Sequence, residues 1–219
     1  MRSWLFAALF LLLGSAAAQA QATITLDSFG LDVEDDGATL APQPQGEMAQ
    51  CLLDQANCDN AEYKGATQLS IDDVVNLQIV DHEDIDENAA GLNQSPGNTA
   101  SPTLPTLDVE ILFDYDSDTL RADQGAKLNE LIGLMNDPAF AGYRFGIIGH
   151  TDAKGDPAYN RDLSYRRAAA VIAYIADYGG IASGRLVARG LGADQLKAPA
   201  DPFGAINRRV QLVAIPVKQ

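Results

Sequence analysis

A carboxylate and a guanidinium lie fifteen residues apart in the stretch GHTDAKGDPAYNRDLSYRRAAAV, residues 149–171. Asp152 follows the strand-like pattern YRFGIIG, and Arg167 falls in a helical pattern that begins near Pro157. Because open α/β sheets bind ligands beyond the carboxyl ends of their strands, both side chains could border one cleft. A fixed carboxylate accepts an ammonium group and a fixed guanidinium binds a carboxylate, so the pair suits a zwitterion. Alternatively, the two residues pair with each other, or Arg166 and Arg167 are solvated helix charges.

Three aspartates at alternate positions, Asp114, Asp116 and Asp118, are similar to the start of a calcium-binding loop. The sixth position of such a loop needs glycine and the twelfth needs a bidentate glutamate. Here those positions are Thr119 and Gly125, so the stretch is interpreted as a turn between a strand and a helix.

The histidines offer little further chemistry. His82 lacks a second ligand four residues later, where Asp86 stands, and two histidines with two cysteines do not make an ordinary zinc site. His150 lies between a strand end and a turn, and no Gly-x-Ser-x-Gly turn accompanies it, so a structural role is expected. Nearby arginines lower carboxyl pKa values, whereas a glycosidase acid needs a raised pKa. We therefore predict no catalytic residue, no metal and no cofactor.

Strand and helix patterns alternate through the C-terminal half of the chain. Strand patterns are LDVEILF, YRFGIIG, RLVARGLG and RRVQLVAIP. Helical patterns cover Leu128–Met135 and the stretch from Pro157 to the Gly179–Gly180 pair. The order β-α-β-α-β-β predicts an α+β fold in which helices lie on one face of a mixed four-stranded sheet.

The N-terminal half has a different composition. Residues 1–22 have the apolar run and small-residue end of a cleaved signal peptide. Residues 23–106 hold 16 acidic residues and one basic residue, and the chain carries a net charge of −15. The expectation for 23–87 is a poorly ordered acidic segment, organised about a disulfide between Cys51 and Cys58. Residues 88–106 are uncharged and predict a flexible linker.

Several ordered blocks of residues 107–215 closely resemble the OmpA-like C-terminal domain, the peptidoglycan-associating module of Gram-negative envelopes. The blocks are GHTD, a following glycine, YN, LS-RRA--V, ILFDYDSDTL, RGLGADQ and NRRV. The resemblance implies a two-layer sandwich over 107–219 that binds diaminopimelate, a stem-peptide residue with a free ammonium and carboxylate. By position, Asp152 should accept the ammonium and Arg167 should bind the carboxylate. Supporting contacts are expected from Asp116, Thr151, Asn160 and Arg208.

The resemblance implies a non-enzymatic protein whose partner is peptidoglycan, in the periplasm of a Gram-negative cell. The acidic segment would be repelled by nucleic acid, so no nucleic-acid partner is expected. Any outer-membrane association would need an envelope protein partner. Two alternatives stay open: the acidic segment acts as a head that binds cations or a basic protein, or the cleft belongs to a wall-cleaving hydrolase.

Overall fold

A mixed four-stranded sheet lies at the centre of the computed structural model, which describes residues 45–89, 101–114 and 116–219. The described residues all lie within the unit Leu40–Gln219. Their strands are β1 (Leu69–Ser70), β2 (Thr103–Leu104), β3 (Thr106–Val109), β4 (Tyr143–His150), β5 (Leu186–Gly192) and β6 (Val210–Pro216). Their α-helices are α1 (Glu47–Leu53), α2 (Ile71–Asn76), α3 (Gly125–Asn136) and α4 (Pro157–Gly179). The predicted signal peptide, residues 23–44 and linker residues 90–100 lie outside the described part.

The sheet has the order β3-β6-β4-β5. The β4–β5 pair is parallel, whereas β6 runs antiparallel to both β3 and β4. The predicted α+β fold with a mixed four-stranded sheet is therefore confirmed. Strands β1 and β2 form a separate antiparallel pair.

Helix α4 has clear sequence signals at both ends. The carboxylate of Asp156 accepts hydrogen bonds from the backbone N–H groups of Ala158 and Tyr159, and Pro157 occupies the first turn. At the other end Gly180 adopts a left-handed conformation with φ 63°. The helix therefore begins and ends where the sequence predicts.

Two glycines let α4 lie directly against the sheet. A Cβ atom added at Gly149 would stand 2.1 Å from the backbone oxygen of Ser164, and one at Gly190 would stand 2.3 Å from the backbone nitrogen of Tyr165. No side chain fits at either position, so the helix backbone packs on the ends of β4 and β5. This contact fixes the first turns of α4 beside the carboxyl end of the sheet.

The first face of the sheet packs against α3 and α4 in one apolar core. Every second residue of the strands points into it, including Leu107, Phe145 and Leu212. The helices contribute the buried side chains Leu128, Leu131, Leu134, Met135, Ala168, Val171 and Ile175.

The second face of the sheet is covered by part of the acidic segment. Ile148, Val213 and Ile215 pack there against the buried side chains of Leu69, Ile71, Val74, Ile79, Val80 and Ile85. Helix α2 begins with a capping box formed by Ser70 and Asp73. The guanidinium of Arg189 in β5 donates hydrogen bonds to the carbonyl oxygens of Leu77 and Gln78, just beyond the end of α2.

The expectation of poor order therefore needs correction for residues 45–87. Helix α1 packs in the first-face core through Met48, Ala49 and Leu52. The sulfur atoms of Cys51 and Cys58 lie 2.15 Å apart and are buried beside it. The segment is acidic on its surface but supplies enough apolar side chains to be ordered on both faces.

The C-terminal end of the predicted linker forms strands, which differs from the flexible chain that the composition predicts. Residues 103–104 form β2, and β3 starts at Thr106, whose backbone pairs with Val213. Order in this stretch comes from sheet pairing of its backbone N–H and C=O groups. Backbone pairing does not depend on charged side chains, so the uncharged composition gave no sign of it. In the part of the chain that the structure describes, no helix is long and apolar enough to cross a membrane.

Candidate ligand-binding site

A cleft of about 800 Å³ opens at the carboxyl end of β4. The loop after β4, the first turns of α4, the turn after residue 113 and the loop before β6 form its walls. All six residues predicted from the sequence line it: Asp116, Thr151, Asp152, Asn160, Arg167 and Arg208.

Asp152 lies in the loop that leaves β4. Its Oδ2 accepts a hydrogen bond from Nη1 of Arg208 at 2.7 Å, and its Oδ1 accepts one from the backbone N–H of Lys154 at 3.0 Å. The carboxylate is 15 % exposed, whereas the Arg208 side chain is 48 % exposed. Asp152 is therefore held by two hydrogen bonds, one of which comes from Arg208, another residue that lines the cleft.

Arg167 points from α4 into the same cleft but does not pair with Asp152. Its Nε donates a hydrogen bond to the carbonyl oxygen of Ser117 at 2.9 Å, and its guanidinium lies 5.0 Å from the ring centroid of Phe113. Burial, followed by the positive charge of Arg208, lowers the pKa of Arg167. Among the described residues Arg167 has no ion pair with a carboxylate.

Arg166 behaves differently from its neighbour. Its guanidinium contacts Asp162 at 2.9 Å and Asp118 at 3.2 Å on the surface of α4. Of the two adjacent arginines, only Arg167 lines the cleft.

A second carboxylate reaches the cleft from the turn that follows β3. Asp116 is exposed and has a positive φ of 51°, which aspartate tolerates better than most residues. Its Oδ1 accepts a 2.6 Å hydrogen bond from the hydroxyl of Tyr159, and this bond raises the pKa of the tyrosine. Tyr159 therefore fixes Asp116 beside the first turn of α4.

Asn160 and Thr151 line the cleft but are mostly buried. The Asn160 amide nitrogen donates to the carbonyl oxygens of Asp152 at 3.3 Å and Lys154 at 3.0 Å, which shapes the loop that carries the carboxylate. The Thr151 backbone N–H bonds to Gly192 in β5, and its Oγ1 has no hydrogen-bond partner among the described residues.

His150, the last residue of β4, is 2 % exposed. Burial, followed by the nearby charge of Arg209, lowers its pKa to about 3. Arg209 in turn contacts the buried carboxylate of Asp108 at 3.2 Å. His150 is thus neutral at ordinary pH, and neither of its buried ring nitrogens has a hydrogen-bond partner among the described residues.

Sequence reasoning missed the three aromatic residues that line the cleft: Phe113, Tyr159 and Phe203. Tyr159 precedes Asn160 in the YN block that resembles the OmpA-like domain, so its place in that block could have identified it as a cleft residue. Phe203 is 64 % exposed, and no spacing pattern in its loop marks it.

The cleft is lined by three acidic and four basic side chains: Asp114, Asp116, Asp152, Arg121, Lys154, Arg167 and Arg208. Asp152 and Asp116 can accept an ammonium group, whereas Arg167 and Arg208 can bind a carboxylate. No group of three or more His, Cys, Asp or Glu side chains suited to a metal occurs in residues 45–89, 101–114 and 116–219. The geometry is best suited to a ligand that carries both charges.

Known proteins resemble this chain mainly in its C-terminal half. Residues 112–209 match the model of the OmpA family. The chain is 36% identical over 115 residues to photosystem I P700 chlorophyll a apoprotein A2 of Gloeobacter violaceus, a match that covers 49% of this chain and 13% of that protein. It is 27% identical over 176 residues to outer membrane porin F of Pseudomonas aeruginosa, covering 80% and 44% respectively. The peptidoglycan-associated lipoprotein from Burkholderia pseudomallei matches with 28% identity and a TM-score of 0.41, covering 48% of this chain and 87% of that structure. The chain spans less than half the length of the two curated relatives.

Proposed function

Because its C-terminal half is an OmpA-like domain, we propose that this protein binds peptidoglycan without catalysis, through the diaminopimelate residue of the stem peptide. One observation supports this proposal above the others. Arg167 is partly buried beside a second arginine and has no carboxylate partner among the described residues, while a carboxylate lies in the same cleft. A guanidinium held in this way favours an incoming anion.

In the proposed binding mode each charge of the ligand meets its opposite. The ammonium of diaminopimelate binds to Asp152, and Asp116, held by Tyr159, supports it from the turn after residue 113. The carboxylate binds to Arg167, which Ser117 and Phe113 keep in place. Arg208 stands next to both positions, because it contacts Asp152 and its charge acts on Arg167.

Binding to purified sacculi and to free diaminopimelate tests the proposal. We expect Asp152→Ala and Arg167→Ala each to weaken binding by about tenfold or more, because each removes a charged hydrogen-bonding partner worth about 1.5–3 kcal/mol. Arg166→Ala is the matched control, since it removes a neighbouring arginine whose contacts are surface ion pairs. Wild-type affinity in both cleft variants would contradict the site assignment.

The proposed role is to hold the protein at the cell wall. The expected location is the periplasm of a Gram-negative cell, where any outer-membrane association would involve an envelope protein partner. A wall-cleaving enzyme is the competing function, and it would release soluble fragments from sacculi during the same incubation. We expect no release.

A further inference from the structure

Glu62 of the acidic segment contacts both the chain just beyond β3 and Lys127 of α3. Oε1 of Glu62 accepts a hydrogen bond from the backbone N–H of Glu110 at 2.9 Å and one from Nζ of Lys127 at 2.7 Å. The same Lys127 ammonium donates to the carbonyl oxygen of Glu110 at 2.9 Å. The ladder between β3 and β6 ends at Val109, so Glu62 and Lys127 satisfy both backbone groups of the first residue beyond it.

The loop that carries Glu62 is itself held in place. Tyr63 is buried in the first-face core, and its hydroxyl bonds to Glu130 of α3 at 3.2 Å. The Asn60 side chain accepts a hydrogen bond from the backbone N–H of Glu62 at 2.9 Å. The bond between Cys51 and Cys58 links the start of the loop to α1. Glu62 is therefore fixed independently of the contact with Glu110.

The segment that Glu62 contacts continues along the chain into the residues that hold the Arg167 side chain. Three residues after Glu110, Phe113 pairs with Leu120 in a small antiparallel bridge. The turn enclosed by this bridge contains Ser117, whose carbonyl oxygen accepts Nε of Arg167. The Phe113 ring lies under the guanidinium.

We propose that Glu62 is a positioning residue for the arginine side of the cleft. By holding Glu110 it fixes the start of residues 110–113, while Gln124 and Arg121 hold Leu112, and it thereby contributes to the placement of the Phe113 ring and of the turn that orients Arg167. The proposal rests on the peptidoglycan-binding function above and makes the acidic segment part of the binding unit, although Glu62 does not touch the ligand.

Titration of the full-length chain with free diaminopimelate tests this role. We expect Glu62→Ala to raise Kd by about three- to tenfold, which lies within the roughly two- to thirtyfold range for coupling through packed neighbours. Glu62→Gln keeps a carbonyl oxygen that can accept the Glu110 N–H, so it should restore most of the affinity. Tyr63→Phe is the matched control: it removes a hydrogen bond from the same loop without affecting Glu110, and its Kd should equal that of wild type.

A double-mutant cycle and an NMR signal separate positioning from general loss of stability. If Glu62 acts through Phe113, Glu62→Ala should raise Kd much less in a Phe113→Leu background. Without ligand, the Arg167 Nε–H resonance should shift in Glu62→Ala and not in Tyr63→Phe. Lys127→Met removes the partner bond to Glu110 and provides a second variant should Glu62→Ala not fold.

The outcomes distinguish this proposal from the function on which it rests. An unchanged Kd together with an unchanged Arg167 resonance in folded Glu62→Ala overturns the positioning role. If the wild type does not bind diaminopimelate, the proposed function fails, and the Arg167 resonance alone then decides whether Glu62 positions the side chain.

Discussion

Replacing Ile79 by alanine tests whether the acidic segment is an integral part of the fold. Ile79 is 2 % exposed and lies on the second face of the sheet. It sits so close to β4 that a Cβ atom added at Gly146 would stand 3.1 Å from its Cδ1 and 3.2 Å from its Cγ2. The glycine therefore leaves the space that the isoleucine fills.

The expected loss of stability follows from this burial. Truncating a fully buried isoleucine to alanine costs about 2–5 kcal/mol, because transfer free energy is lost and a cavity remains. In a domain of this size each 1 kcal/mol lowers Tm by roughly 2–4 °C. A mid-range loss of about 3 kcal/mol thus predicts a fall in Tm of roughly 6–12 °C.

Thermal unfolding followed by circular dichroism measures this fall. Leu53→Ala is the control, because it makes a similar change in the same segment at a side chain that is 43 % exposed. Surface changes of this kind stay within about 0.5 kcal/mol. If Ile79→Ala lowered Tm no more than Leu53→Ala, the segment would not cover the sheet, and this account of the second face would be refuted.

Further predictions concern the glycine contact, the ligand charge and the buried histidine. Gly149→Ala should prevent stable folding, because its Cβ would meet the Ser164 backbone oxygen at 2.1 Å, whereas Gly133→Ala in open space should raise Tm slightly. In a competition assay, diaminopimelate amidated at its side-chain-end carboxyl should bind at least about tenfold more weakly than the free acid, since Arg167 would lose its anionic partner. His150 has a folded pKa of about 3 against about 6.5 unfolded, so the unfolded state takes up the proton first as pH falls between these values. Between about pH 6.5 and pH 3 this proton uptake should lower stability by up to about 1.4 kcal/mol per pH unit, and denaturant titrations of His150→Gln should show a correspondingly smaller fall.

The sheet and its two long helices could be predicted because their signals are local and repeated. Alternation over β4 and β6 and the helical stripe of α3 extend over enough residues to show their period. The ends of α4 were predictable because Pro157 and Gly180 act on the backbone within one turn. The capping box of α2 is a local signal of the same kind, because Ser70 and Asp73 stand three positions apart.

The covering of the second face could not be predicted, because its elements are too short to show a period. Helix α2 has 6 residues and β1 has 2, and their apolar side chains stand among aspartates. Their burial depends on contacts with β4 and β6, more than 60 positions away in the chain. Contacts between distant positions also limited the prediction of the cleft. The spacing of Asp152 and Arg167 predicted that both border one cleft, whereas the bond from Arg208 to Asp152 spans 56 positions and leaves no local pattern.

The Asp152–Arg208 contact explains why the cleft should select a zwitterion over a single charge. Because the Arg208 side chain is 48 % exposed, its ion pair contributes at most about 1 kcal/mol, so a ligand ammonium can replace it at Asp152. Arg208 then adds to the positive charge near Arg167, whose pKa is already lowered by burial and by this neighbour. A ligand carboxylate relieves that repulsion, whereas a simple amine leaves it in place and a simple carboxylate leaves Arg208 paired with Asp152. In the proposed mode each charge of the ligand therefore increases the affinity for the other, and amines or acids alone should compete poorly with diaminopimelate.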